Sequence, residues 1–183
     1  MAEIVSNQIP LELRQNQGWV NWKSEQYADE KKPRKIPYNP KTGHQAKVNE
    51  PETWGSFNQS LEGLQKFKAS GIGVMIRKGL IGIDLDNAVD HEGKAKSEAQ
   101  KIISRIPTYW ELSPSGKGFH GYLFGSLPQG HRTRKKLGDG SSLEVYSSNR
   151  YFTVTGKSIS KINEISRNQD CADWLIDHYE LEP

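Results

Sequence analysis

The run Ile81-Gly82-Ile83-Asp84-Leu85-Asp86 sets two carboxylates one residue apart in an apolar stretch. Side chains on a strand alternate between faces, so Ile81, Ile83 and Leu85 share a core face, and Asp84 and Asp86 share the other. At a rise near 3.3 Å per residue their Cα atoms lie about 7 Å apart. Carboxylates that close repel unless a cation neutralises them. Hard oxygen donors in this pattern suit Mg²⁺ or Mn²⁺, and a shared pair can bridge two ions about 3.5–4 Å apart. The plainer alternative is a strand end at which both aspartates merely begin a turn. A calcium loop of the EF-hand type fails, because Ala88 and Val89 occupy positions that require an oxygen ligand and a glycine.

Two further groups follow in the chain. Ser113-Pro114-Ser115-Gly116-Lys117-Gly118-Phe119-His120 is a Gly-rich turn leading into a strand. Its glycines let the backbone approach an anion, Lys117 adds a point charge, and His120 can donate to a phosphate oxygen. The spacing is not that of a P-loop, and an ordinary hairpin with an incidental histidine is the competing reading. In Leu143-Glu144-Val145-Tyr146, alternation turns Glu144 and Tyr146 to one face, where Glu144 can complete a three-carboxylate site. Arg150 can neutralise a triphosphate. An exposed amphipathic strand with a salt bridge accounts equally for these residues. Gly71-Ile72-Gly73 fails as a dinucleotide fingerprint, since Ile76 stands at the third glycine position.

The elements that must carry these groups are legible in outline. Residues 18–23 read as a strand, 28–51 as a Pro-rich loop, and 52–70 as a helix stopped at Gly71. The runs 72–77 and 80–85, joined by Lys78-Gly79, carry a hairpin signal. Residues 94–105 form a helix ending before Pro107. Residues 108–113 and 119–124 are strands around the Gly-rich turn, and 142–147 with 151–155 read as another hairpin. Residues 169–180 are an amphipathic helix. Hairpins with intervening helices make an α+β domain with mixed or antiparallel sheets flanked by helices. The five tryptophans are assigned to the core and not to base stacking.

The chain has 183 residues, 34% of them hydrophobic, which suits one domain with its own core. Its single Cys171 excludes an internal disulfide and a Cys-rich zinc site. No apolar run reaches the length of about 18 residues that a membrane span needs, and the N-terminus lacks the pattern of a secretory leader. The expected location is cytoplasmic, with no membrane partner. Net charge is only +3, but bases gather at 31–35 and 132–136, and acids at 84–92 and 164–182. A solvated face is the plain reading of each cluster; if nucleic acid is bound, Lys35, Arg132, Arg134, Lys135 and Lys136 are the candidates for contacts to its backbone, and the acidic C-terminal helix should face away from it.

Asp84-x-Asp86, then Ser115-Gly116-Lys117-Gly118-Phe119-His120, then Glu144 resembles the three motifs of the archaeo-eukaryotic primase superfamily, most of all the primase-polymerases of phages and plasmids. Gly18-Trp19-Val20, Lys35-Ile36-Pro37-Tyr38-Asn39-Pro40, Trp54 and Arg150 to Gly156 are similar in type and order, so the resemblance covers residues 18–160. It implies a core with an RRM-like unit within a single catalytic domain over 1–183. Its motifs lie in 72–156, a helical segment follows at 163–183, and the whole would be the N-terminal part of a longer protein. It implies that Asp84, Asp86 and Glu144 hold two Mg²⁺ or Mn²⁺ ions, and that His120 and Ser115 to Gly118 contact the phosphates of an NTP or dNTP. DNA template and primer would be partners, with a helicase fused or separate. Many relatives have Asp where this chain has Glu144. A metal-dependent nuclease and a non-catalytic binder of single strands are the alternatives.

Overall fold

A computed structural model describes residues 3–183. In chain order its elements are α1 (Leu11–Arg14), β1 (Trp19–Glu25), β2 (Arg34–Tyr38), α2 (Phe57–Lys66), β3 (Gly71–Ile76), β4 (Leu80–Asp86), α3 (Ser97–Arg105), β5 (Trp110–Leu112), β6 (Phe119–Phe124), β7 (Arg134–Lys136), β8 (Ser142–Tyr146), β9 (Arg150–Val154) and α4 (Gln169–His178). The strands form two sheets, ordered β2-β1-β3-β9 and β5-β6-β4-β8-β7. Every ladder is antiparallel. The α+β class is as expected.

Three expectations need correction. The runs around Lys78-Gly79 do not pair with each other. Leu80 N–H donates to the Arg77 carbonyl at 3.0 Å, which closes a tight turn, but β3 belongs to the first sheet and β4 to the second. Both strands are apolar and almost wholly buried, so each sits between two neighbours and neither can serve as the free edge of a hairpin. The β8–β9 connection crosses between the sheets in the same way. Residues 28–51 are not all loop, because β2 lies within them. Pro37 is tolerated there since β2 is an edge strand. The basic segment 132–136 ends in edge strand β7, which holds its last three residues.

Burial explains the layering. One apolar cluster, with Ile83, Leu85, Leu143 and Val145, lies between the second sheet and α3 and α4. Another fills the space where the first sheet, α1 and α2 meet Tyr109 and Tyr122 of the second. The strands of the second sheet are thus apolar toward α3 and α4, which leaves their opposite face to carry polar groups beside the first sheet. Gly82 is required at this junction. A Cβ there would lie 2.7 Å from Cζ of Phe152, whose ring crosses from the first sheet onto bare backbone. Trp19, Trp22, Trp54 and Trp110 are buried, and Trp174 is partly buried.

Helix α3 receives its N-terminal cap from outside its own segment. Lys96 precedes the helix without a capping side chain, while Asp139 Oδ2 accepts the Glu98 N–H at 2.9 Å. Partial burial alone would raise the Asp139 pKa, but bonds from Ser141, Glu98 and Ser97 outweigh it and lower it below the usual value. Asp139→Ala should cost about 1 kcal/mol at neutral pH. A lowered folded pKa means this contribution is complete above the unfolded value, near ~3.9, and is lost as pH falls through the folded one. The difference in thermal midpoint between wild type and Asp139→Ala should narrow as pH drops below about 4. A pH-independent difference would assign the effect to packing.

Candidate active site

Strand register gathers the site. Asp84 on central β4 lies opposite His120 on β6 and opposite Glu144 on β8. His120 in turn faces Glu111 on β5, and Glu144 faces Arg134 on β7. Cross-strand partners share a face, so Glu111, His120, Asp84, Glu144 and Arg134 form one ionisable row across all five strands. Asp86, two residues beyond Asp84, is on that face at the exposed end of β4.

Contacts grade along the row from buried to open. Glu111 is fully buried. His120 is 5% exposed, and its Nδ1 donates to the Thr153 carbonyl on β9 at 2.9 Å. A carbonyl can only accept, so Nδ1 carries a proton, and Nε2 is left facing Asp84 Oδ1 at 3.7 Å. Burial pulls the imidazole toward its neutral form, but Glu111, 3.7 Å from Nδ1, and the Asp84 charge outweigh it and raise its pKa. Burial also pushes the Asp84 carboxyl up, with Glu144 and Asp86 adding to the rise, while His120 and Lys35 oppose it. Glu144 is held by the Tyr146 hydroxyl at 2.8 Å, by Arg134 at 3.4 Å and by Arg150 at 3.6 Å.

The row opens on a cleft of about 640 Å³ between the sheets. Lys35 of β2, Arg150 and Tyr151 line it opposite Asp84 and His120. Desolvation lowers the Lys35 pKa, against the pull of Asp84 and Asp86. Lys35 thus lines the cleft beside Asp84, Arg134 approaches Glu144, and Lys135 pairs with Glu180 at 2.6 Å. Arg132 and Lys136 are exposed. Among the described residues, no three acidic, histidine or cysteine side chains already converge as a closed cation cage. Asp84, Asp86 and Glu144 share a face, but the Glu144 carboxylate is occupied by two arginines and a tyrosine.

The Gly-rich turn sits at the end of β4 and does not line the cleft. Ser115 and Gly116 border a separate cavity of about 220 Å³ with Glu3 and Lys157. The N–H groups of Gly116 and Lys117 are taken by Ser113 O and Ser115 Oγ. Gly118 is needed for close approach, since a Cβ there would lie 2.3 Å from the Leu85 carbonyl oxygen. Sequence reasoning missed Glu111. Its one signal was a glutamate between Trp110 and Leu112, on the face of its strand that alternation denies to those two apolar residues.

No family profile matches the chain. Over 142 residues, 76% of its length, the chain is 39% identical to a DNA primase-polymerase of Nitratiruptor phage NrS-1. It spans 19% of the length of that relative.

Proposed function

We propose, from the premise that the chain belongs to the primase-polymerases, that it is a nucleotidyl-transferring domain working on a DNA template. Its substrates would be a nucleoside triphosphate and a 3′-hydroxyl. The carrying observation is Asp84 set between His120 and Glu144 in a cleft that Lys35 and Arg150 also line. Acids that attract metal and bases that attract phosphate meet there, which fits a substrate carrying both.

Asp84, Asp86 and Glu144 would hold Mg²⁺ or Mn²⁺. The donor set fits, because burial makes the Asp84 charge costly without a cation and all three side chains offer hard oxygens. Bound ions would lower the pKa of the attacking hydroxyl and offset charge on the departing pyrophosphate. The hydroxyl oxygen bonds to the α-phosphorus as the bond to pyrophosphate breaks, and no protein nucleophile takes part. His120 Nε2 would donate to the β- or γ-phosphate, with Lys35 and Arg150 balancing the remaining charge. Arg134 and Arg150 orient Glu144 until substrate arrives. Tyr146, fixed on Glu144, is placed for the sugar. Ser115 to Gly118 could reach phosphate only where substrate extends past the end of β4. Arg132 and Lys136 would track the template backbone. We place the reaction in replication of a mobile element in the cytoplasm, with a helicase as partner.

Incubation with primed template, labelled nucleotides and Mg²⁺ or Mn²⁺ tests this directly. Lengthened primers support it. Shortened strands would reassign the acids to a nuclease, and a gel shift without chemistry would make the chain a binder. His120→Ala should raise nucleotide KM about 10-fold or more while template affinity stays within a factor of two. An unchanged KM would remove His120 from the phosphate site.

A further inference from the structure

We infer that Glu111 is the positioning residue of this site, a buried bolt between the two sheets that sets His120 toward the nucleotide. Its carboxylate, 0% exposed, draws three donors. Oε2 accepts the Gly156 N–H at 2.8 Å and the Tyr109 hydroxyl at 2.8 Å, and the Thr155 N–H lies 3.1 and 3.2 Å from the two oxygens. Tyr109 and Glu111 belong to the second sheet's side of the cleft, and Thr155 and Gly156 directly follow β9 of the first. One side chain thus ties the end of β9 to β5.

The tie reaches His120 by two routes. Thr153, whose carbonyl accepts from His120 Nδ1, lies two residues before the anchored Thr155, so fixing Thr155 fixes that acceptor. The ring is therefore held by its Nδ1 edge, and Nε2 is left for the cleft. Glu111 also places a negative charge 3.7 Å from Nδ1, on the side of the ring away from the cleft. A fully buried carboxylate costs free energy unless it is bonded, and two of the three donors here directly follow the strand that carries the His120 acceptor. Glu111 touches no cleft space and so would act through the histidine.

The inference rests on the phosphate-binding reading of His120, and a double-mutant cycle separates the two. Glu111→Gln keeps size and an acceptor oxygen but loses the charge. In the wild-type background it should raise nucleotide KM about 10-fold, the usual cost of losing an outer partner, with kcat changed less than about 3-fold. In a His120→Ala background it should change KM less than about 2-fold. Tyr109→Phe, which removes one of the three donors and keeps the ring, should raise KM about 3-fold and again do nothing without His120. This variant decides the matter if Glu111→Gln does not fold. Multiplicative effects in the two backgrounds, or no effect of either variant, would overturn the inference while leaving the site intact. An unaltered KM in His120→Ala alone would overturn both readings.

Discussion

Asp84→Asn should reduce nucleotide incorporation on the order of 10³-fold while leaving the thermal midpoint unchanged or higher. Asp84 is the middle of the ionisable row, opposite both His120 and Glu144. It is the carboxylate that burial penalises most clearly at this site. Asparagine keeps its shape and removes the buried charge, so folding loses nothing that pays for that charge. The proposed reaction would lose an oxygen donor to its metal ions. Divalent ions supply the second measurement. A ligand that binds only the folded chain raises its midpoint, so saturating Mn²⁺ should stabilise wild type and leave Asp84→Asn nearly unshifted. Retained incorporation by Asp84→Asn, or an equal Mn²⁺ shift in both proteins, would move the metal elsewhere.

Gly118→Ala should destabilise the chain and cost activity. The added Cβ would meet the Leu85 carbonyl oxygen at 2.3 Å and the Asp86 Cα at 3.3 Å, both main-chain atoms of the central strand. No rotamer change relieves such a contact, so β4 or the Gly-rich turn must shift. Overpacking of this kind costs about 1–3 kcal/mol, which for a chain of this size lowers the midpoint by roughly 4–8 °C at ~2 kcal/mol. The displaced atoms carry Asp86, so incorporation should fall about 10-fold or more even at temperatures where the variant stays folded. Normal stability together with normal activity would show that the turn yields freely. Normal stability with lost activity would instead point to a direct phosphate role for the Gly118 N–H.

The site was legible in the sequence where chemistry follows from alternation along one strand. Asp84 and Asp86, and Glu144 with Tyr146, occupy the faces that a period of two assigns them. Which strands lie side by side is a non-local matter, and there the reading failed. The turn at Lys78-Gly79 is locally that of a hairpin, yet β3 and β4 each find better-matched neighbours far along the chain. The prolines that make residues 28–51 look like loop are compatible with an edge strand, which needs only half its donors. Glu111 was passed over because a glutamate beside Trp110 looks like a solvent-facing position until the second sheet is seen to cover it. Lys35 and Arg134 stand among other bases in the sequence, and only the cross-sheet and cross-strand positions show that they lie beside the acids. The Gly-rich turn drew attention for its donors, and its last glycine is required by crowding against β4.

The double crossing of the chain between sheets also bears on biosynthesis. β3 acquires its second neighbour only when β9 is made, and Glu144 and its strand arrive scarcely sooner. Pairings so distant in sequence close late and slowly. A nascent chain that has not yet released Val154 from the ribosome therefore has its two aspartates but neither the wall of the cleft nor the carbonyl that orients the histidine. The cleft is completed in one late event, and an N-terminal half left by premature termination would bring apolar β3 into the cell without its second partner.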